Sequence, residues 1–128
     1  MATDPPVAQI LSISNFVLLT TYRRDGTAVA TPVWVVRDGD QLGVWTDAQS
    51  GKVKRIRNNP AVALAICTAR GRPSGLAYAG RAELTDDEGT RRIRRLVMRK
   101  YWFSGRLTAW LSRRRGEQRS IGIRINVG

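Results

Sequence analysis

Two Asp-Gly pairs, Asp25-Gly26 and Asp38-Gly39, each divide runs rich in apolar and β-branched residues, and they constrain the fold more than any other feature. Asp-Gly supplies the positive φ that a tight hairpin turn needs. Phe16 to Tyr22 therefore reads as a buried strand, Ala28 to Val36 as its return, and Gln41 to Thr46 as a third strand. The expectation for the first third is a three-stranded antiparallel meander. Pro32 lies inside the return strand and cannot donate to a ladder, which points to a sheet edge or a bulge.

Further along, Ala61 to Thr68 is another apolar strand, followed by a glycine- and proline-rich loop over 69–75. Leu76, Tyr78, Gly80, Ala82 and Leu84 alternate in a strand ending at Thr85, with Gly80 marking a bulge or a close approach. Thr85-Asp86-Asp87-Glu88 has the form of a capping box, opening a helix that runs to about Phe103 with Ile93, Leu96, Val97 and Lys100-Tyr101 inward. Leu107, Trp110 and Leu111 suggest a second short helix, and Ile121, Ile123, Ile125 and Val127 a closing strand. Residues 7–12 read as one short helical turn after the double proline. One domain spanning 1–128 follows, mainly β (α+β): six antiparallel strands in a small barrel with flanking helices.

Between the third and fourth strands lies Trp45-Thr46-Asp47-Ala48-Gln49-Ser50-Gly51-Lys52-Val53-Lys54-Arg55-Ile56-Arg57-Asn58-Asn59-Pro60. It reads as a strand end, a loop and a basic helix stopped by proline. Ser50 is the N-cap candidate, and Val53 and Ile56 share an inward face. Lys52, Lys54, Arg55 and Arg57 crowd positive charge around a helix start whose amides already favour anions. A phosphate-binding corner and a solvated basic helix are both open on spacing alone.

The chain has one cysteine, Cys67, and no histidine. That rules out an internal disulfide, His- or Cys-rich zinc sites, and Ser–His or Cys–His nucleophile pairs. No metal site is expected, no catalytic residue stands out, and any enzyme here would borrow its reactive group from a cofactor. The net charge of +12 attracts phosphates, nucleic acid or anionic lipid without choosing among them. Residues 86–128 carry +8 of it. No recognised nucleic-acid module accompanies that charge, so nucleic acid is not expected as a partner. The helix after residue 86 is basic on one face and apolar on the other; its apolar face is expected against the barrel or a second subunit, with peripheral membrane contact the alternative. With neither a signal peptide nor a membrane span, a cytoplasmic protein is the default.

Leu18-Leu19-Thr20-Thr21-Tyr22-Arg23-Arg24-Asp25-Gly26-Thr27, Ala30-Thr31-Pro32-Val33-Trp34 and Ser50-Gly51-Lys52-Val53-Lys54-Arg55 together resemble the split β-barrel flavin-binding family typified by pyridoxamine 5'-phosphate oxidases. Within it, the chain is most similar to actinobacterial oxidoreductases that use the deazaflavin coenzyme F-420. The likeness includes Asn59-Pro60, Tyr78 to Leu84 and Lys100 to Phe103, and extends over roughly residues 16 to 127. It implies a homodimer with cofactor sites at the interface and hydride transfer to a conjugated small molecule. Thr31, Pro32, Val33 and Trp34 would lie along the cofactor ring, Trp45 and Thr46 beside it, and Ser50, Gly51, Lys52, Val53 and Arg55 around the phosphate. FMN is the alternative cofactor. The lack of histidine and of the longer C-terminal region speaks against pyridoxamine phosphate oxidation itself. Arg72 and Tyr78 are candidate substrate contacts, though a solvated loop arginine and a structural hydroxyl explain them as well. Trp34 and Trp45 could stack on the ring or fill core.

Overall fold

The computed structural model describes residues 7–102 and 119–127. Its elements are α1 (Val7–Ile13), β1 (Val17–Tyr22), β2 (Ala28–Val33), β3 (Val36–Asp38), β4 (Gln41–Asp47), α2 (Gly51–Asn58), β5 (Ala61–Ile66), β6 (Tyr78–Leu84), α3 (Asp87–Tyr101) and β7 (Ser120–Val127). The expected second helix around Leu107 to Leu111 lies outside the described residues. All strand pairings are antiparallel, in the order β2-β1-β5-β6-β7-β4-β3. The mainly β class holds, with seven strands instead of six.

Both Asp-Gly turns form. Gly26 has φ +89° and Gly39 φ +63°, and the Asp25 carboxylate accepts from the Thr27 amide at 2.9 Å. The meander does not form. The run expected as one strand from Ala28 to Val36 leaves its ladder after Val33, and β3 pairs with β4 instead of returning along β2. β2 and β3 thus sit at opposite ends of the strand order although only Trp34 and Val35 separate them. Val33 to Val36 is three Cα steps, at most roughly 11 Å. The sheet must therefore curl until its two edges nearly meet, a barrel left split along one seam. Pro32 is on the edge strand β2, opposite Leu18, where a missing amide costs least.

Inside the curl, Leu11, Val17, Leu19, Val35, Leu42, Val44, Val53, Leu64, Ile123 and Ile125 are buried together. A second cluster, Val36, Ile93, Val97 and Tyr101, joins α3 to the outer face of the sheet. The apolar face of α3 is thus covered by its own barrel. Gly80 is no bulge, since its register with Val62 and Val127 runs on without an extra residue. A Cβ there would lie 3.0 Å from Val127 Cγ1 and 3.1 Å from the Asn126 carbonyl, so the glycine answers to close approach. The expected capping box is also different. Asp86, not Thr85, is the N-cap, accepting from the Gly89 amide at 2.8 Å, while the Thr85 hydroxyl sits near Thr90 and the Gly122 carbonyl. Leu76, expected within β6, lies outside it and is exposed.

The seam is tied by the end of α3. Lys100 Nζ donates to the carbonyls of Ser12 (2.8 Å), Ser14 (3.0 Å) and Val35 (2.7 Å). Burial pushes this ammonium down to about 8, and the three acceptors oppose that push by favouring the charged form. The Tyr101 hydroxyl donates to the Asn15 carbonyl at 2.9 Å and accepts from the Val35 amide at 3.3 Å; burial pushes it up to about 12.

Candidate anion-binding corner

Two inward apolar residues set the roll of α2. Val53 and Ile56 are buried in the barrel core, which leaves Gly51, Lys52 and Arg55 on an adjoining sector of the helix. Asn59 ends the helix in extended conformation ahead of Pro60. At the start, Ser50 takes the N-cap position with φ −67° and ψ 156°, its amide donates to the Asp47 carbonyl at 3.1 Å, and its carbonyl accepts from the Lys54 amide. The expected side-chain cap is missing. Ser50 Oγ is buried with no hydrogen-bond partner among the described residues. A buried hydroxyl left unpaired costs on the order of 1–3 kcal/mol, and an α-helix leaves its first amides without internal acceptors as well.

Positive charge gathers on the same spot. Lys52 is half-buried and has no ion pair among the described residues; burial lowers its pKa first, and the neighbouring Arg55 lowers it further. Arg55 is bent back along its helix. Its Nε donates to Thr21 Oγ1 at 2.6 Å, and a Cβ on Gly51 would come within 2.7 Å of its Nη1. The guanidinium therefore lies over the first helical turn. Ser50, Gly51, Lys52 and Arg55 are brought together as a set of donors, and such a set has a use for phosphate or another anion. Lys54 and Arg57 are exposed.

The remaining candidates are divided. Thr31 is half-buried in β2 opposite Leu19, Pro32 is exposed, and Val33 is buried opposite Val17. Trp34 has left the strand and stacks on Tyr101, with ring centroids 4.8 Å apart and planes 15° apart. Trp45 packs on the α3 cluster with the Arg94 guanidinium 5.7 Å from its ring centre. Both indoles thus pack toward α3, while Thr46, the next residue of β4, is buried. Arg72 is exposed in the loop after β5, where the amide of Thr68 donates to its carbonyl. Gly71 of the same turn lies over Leu18 and Pro32. Tyr78 is half-buried in β6 and packs against the main core, which suits the structural alternative. Cys67, just past the end of β5 and bridged to Pro73, is buried and packs as a small apolar residue.

Thr21 was not among the sequence candidates. Its signal was a hydroxyl on the face shared with Val17 and Leu19, where a buried polar group needs a partner. Two hollows formed by described residues lie elsewhere. One, about 280 Å³, is lined by Asp86, Glu88, Arg92, Arg95 and Arg124; the other, about 360 Å³, by Gln41, Arg81, Glu83, Arg124 and Asn126.

A curled antiparallel sheet split along one seam, with a cationic helix start on its flank, defines a split-barrel protein. The family model for pyridoxamine 5'-phosphate oxidase matches residues 3–126, and the chain belongs to that family. Similar solved structures include a conserved hypothetical protein from Mycobacterium tuberculosis (20% identity, TM-score 0.71, covering 99% of this chain and 81% of that one). An FAD-binding protein from Mesorhizobium loti shares 19% identity at TM-score 0.67 over 93% and 83% of the two chains. An F-420 reductase shares 19% identity at TM-score 0.61 over 98% and 96%. At these identities the likeness carries the fold alone. Among curated proteins none matches this chain.

Proposed function

We propose that the chain is an oxidoreductase that binds the deazaflavin coenzyme F-420 and reduces a conjugated small molecule. The observation that carries this is the anion-adapted corner, where Ser50 Oγ is buried without a partner beside Lys52 and Arg55. These residues fit a phosphate, which would give Ser50 an acceptor and both cations a counter-charge. Coenzyme F-420 adds an oligoglutamate tail, for which the exposed Lys54 and Arg57 on the same helix are suitable partners. When bound, a deazaflavin supplies hydride chemistry. The chain's own part is to hold the phosphate end, present backbone from Thr31 to Val33 along the ring, and keep water away. The same proposal includes a homodimer whose second subunit completes the site.

FMN on the same corner is the alternative, since a terminal phosphate meets the same donors. Isothermal titration with oxidised F-420 and with FMN tests both. Saturable F-420 binding with one site per chain is the expected result. Tight binding of FMN alone would shift the assignment to a flavin, and no heat with either at tens of micromolar would end the oxidoreductase assignment.

A further inference from the structure

We propose that Thr21 and Gly51 act as a positioning pair that holds the Arg55 guanidinium folded over the first turn of α2 as a pre-set anion clamp. The inference rests on reading that corner as an anion site and assigns a role to two residues that need not touch the anion.

An arginine on a helix surface samples many rotamers, and ordering it on binding costs free energy. Here two features remove that freedom beforehand. Thr21 is buried at the end of β1, on an otherwise apolar face, and its hydroxyl accepts from Arg55 Nε at 2.6 Å. That bond engages Nε and leaves both Nη groups without a hydrogen bond among the described residues. Gly51 provides the space, because a side chain there would meet Nη1 at 2.7 Å. The obstructed atom is the far end of a flexible side chain, so a methyl group at position 51 would move Arg55 without disturbing the fold. Arg55 differs in this from Lys54 and Arg57, which are exposed and have no described contact that fixes their charged ends. The arrangement is specific to arginine, since lysine lacks a second edge to present while the first is held.

Three variants of the full chain test this, each read by affinity for oxidised F-420 and for inorganic phosphate, with thermal denaturation alongside. Thr21→Val keeps the shape and removes the acceptor; affinity is expected to fall roughly fivefold to tenfold. Thr21→Ser restores the acceptor, and wild-type affinity should return. Gly51→Ala should weaken binding severalfold while Tm stays level or rises, because alanine is the better helix former. This variant keeps the test meaningful if Thr21→Val folds poorly. A purely structural Thr21 would show lower Tm with intact affinity in Thr21→Val and normal binding in Gly51→Ala, and that pattern overturns the proposal. Loss of phosphate affinity in both variants, with F-420 not bound by any form, would uphold the clamp and refute the coenzyme. Lys52→Ala serves as the control for the corner itself: if it binds as tightly as wild type, the anion site is elsewhere and the clamp falls with it.

Discussion

Lys52 and Lys100 are both half-buried, and burial pulls both ammonium groups below the ordinary lysine value. Their surroundings differ. Lys100 meets three backbone carbonyls and closes the seam between α1, Val35 and α3. Lys52 has no acceptor among the described residues, and its closest electrostatic influence is another cation, Arg55. A buried charge with its acceptors supplied from within is part of the scaffold. One that lacks them lowers the stability of the free protein and gains on meeting an anion. The two lysines thus separate a charge held by the fold from one assigned to the proposed anion site.

The largest expected effect breaks the scaffold side of this contrast. Lys100→Met strips three part-buried carbonyls of their shared donor and should lower stability by about 2–4 kcal/mol, measured by urea denaturation. A loss below half a kcal/mol would mean that water replaces the ammonium freely. Next, Lys52→Ala should leave Tm unchanged or raise it while weakening F-420 binding by roughly tenfold to a hundredfold, as for the loss of one charged hydrogen bond. A matched fall in Tm would erase the distinction between the two lysines. The pH dependence sharpens the same point. Because Lys52 has a lowered pKa, it loses its proton earlier than an ordinary lysine as pH rises, and anion affinity should decline across that interval. Lys52→Arg, which stays charged, should show a flat profile over the same range.

The smallest effect concerns an ordinary surface pair. Arg92 grips Asp38 through Nε and Nη2 at 2.9 and 2.8 Å, and this bond, ahead of the charges of Arg92 and Arg124, holds the Asp38 carboxyl below its usual value. Its stabilisation is present above the unfolded carboxylate value of 3.8 and is lost as pH falls through the lowered one. Asp38→Asn should reduce Tm slightly near neutrality and not at all in strong acid. An equal deficit at both pH values would show that the pair contributes packing and not charge.

The turns were legible because Asp25-Gly26 and Asp38-Gly39 act locally, through φ. The corner at Ser50 to Arg55 was legible for a related reason, since cap position, apolar spacing and charge all lie within one helix. The break after Val33 was hidden. Val33 to Val36 stays apolar and β-prone, and nothing in a run of such residues says that the ladder changes partner. Trp34 and Trp45 could be assigned to ring or core only by knowing that α3 lies over them, which depends on Ile93 and Val97 finding the outer sheet face. Thr85 and Asp86 are both good caps; the choice went to Asp86 because Thr85 is held near Gly122 and Thr90, contacts from β7 and from within α3. Thr21 shows the same limit, since its partner is 34 residues away.

The seam itself has a kinetic consequence. Among the described residues β2 and β3 share no ladder, and the hydrogen bonds at these two margins come from β1, from β4 and from the end of α3. Opening there ruptures the Lys100 and Tyr101 contacts but no strand pairing. Hydrogen exchange should accordingly report the Val35 amide, held by the Tyr101 hydroxyl, becoming accessible ahead of the amides of β5, β6 and β7, which have paired neighbours on both sides. The curl unlatches before it unravels.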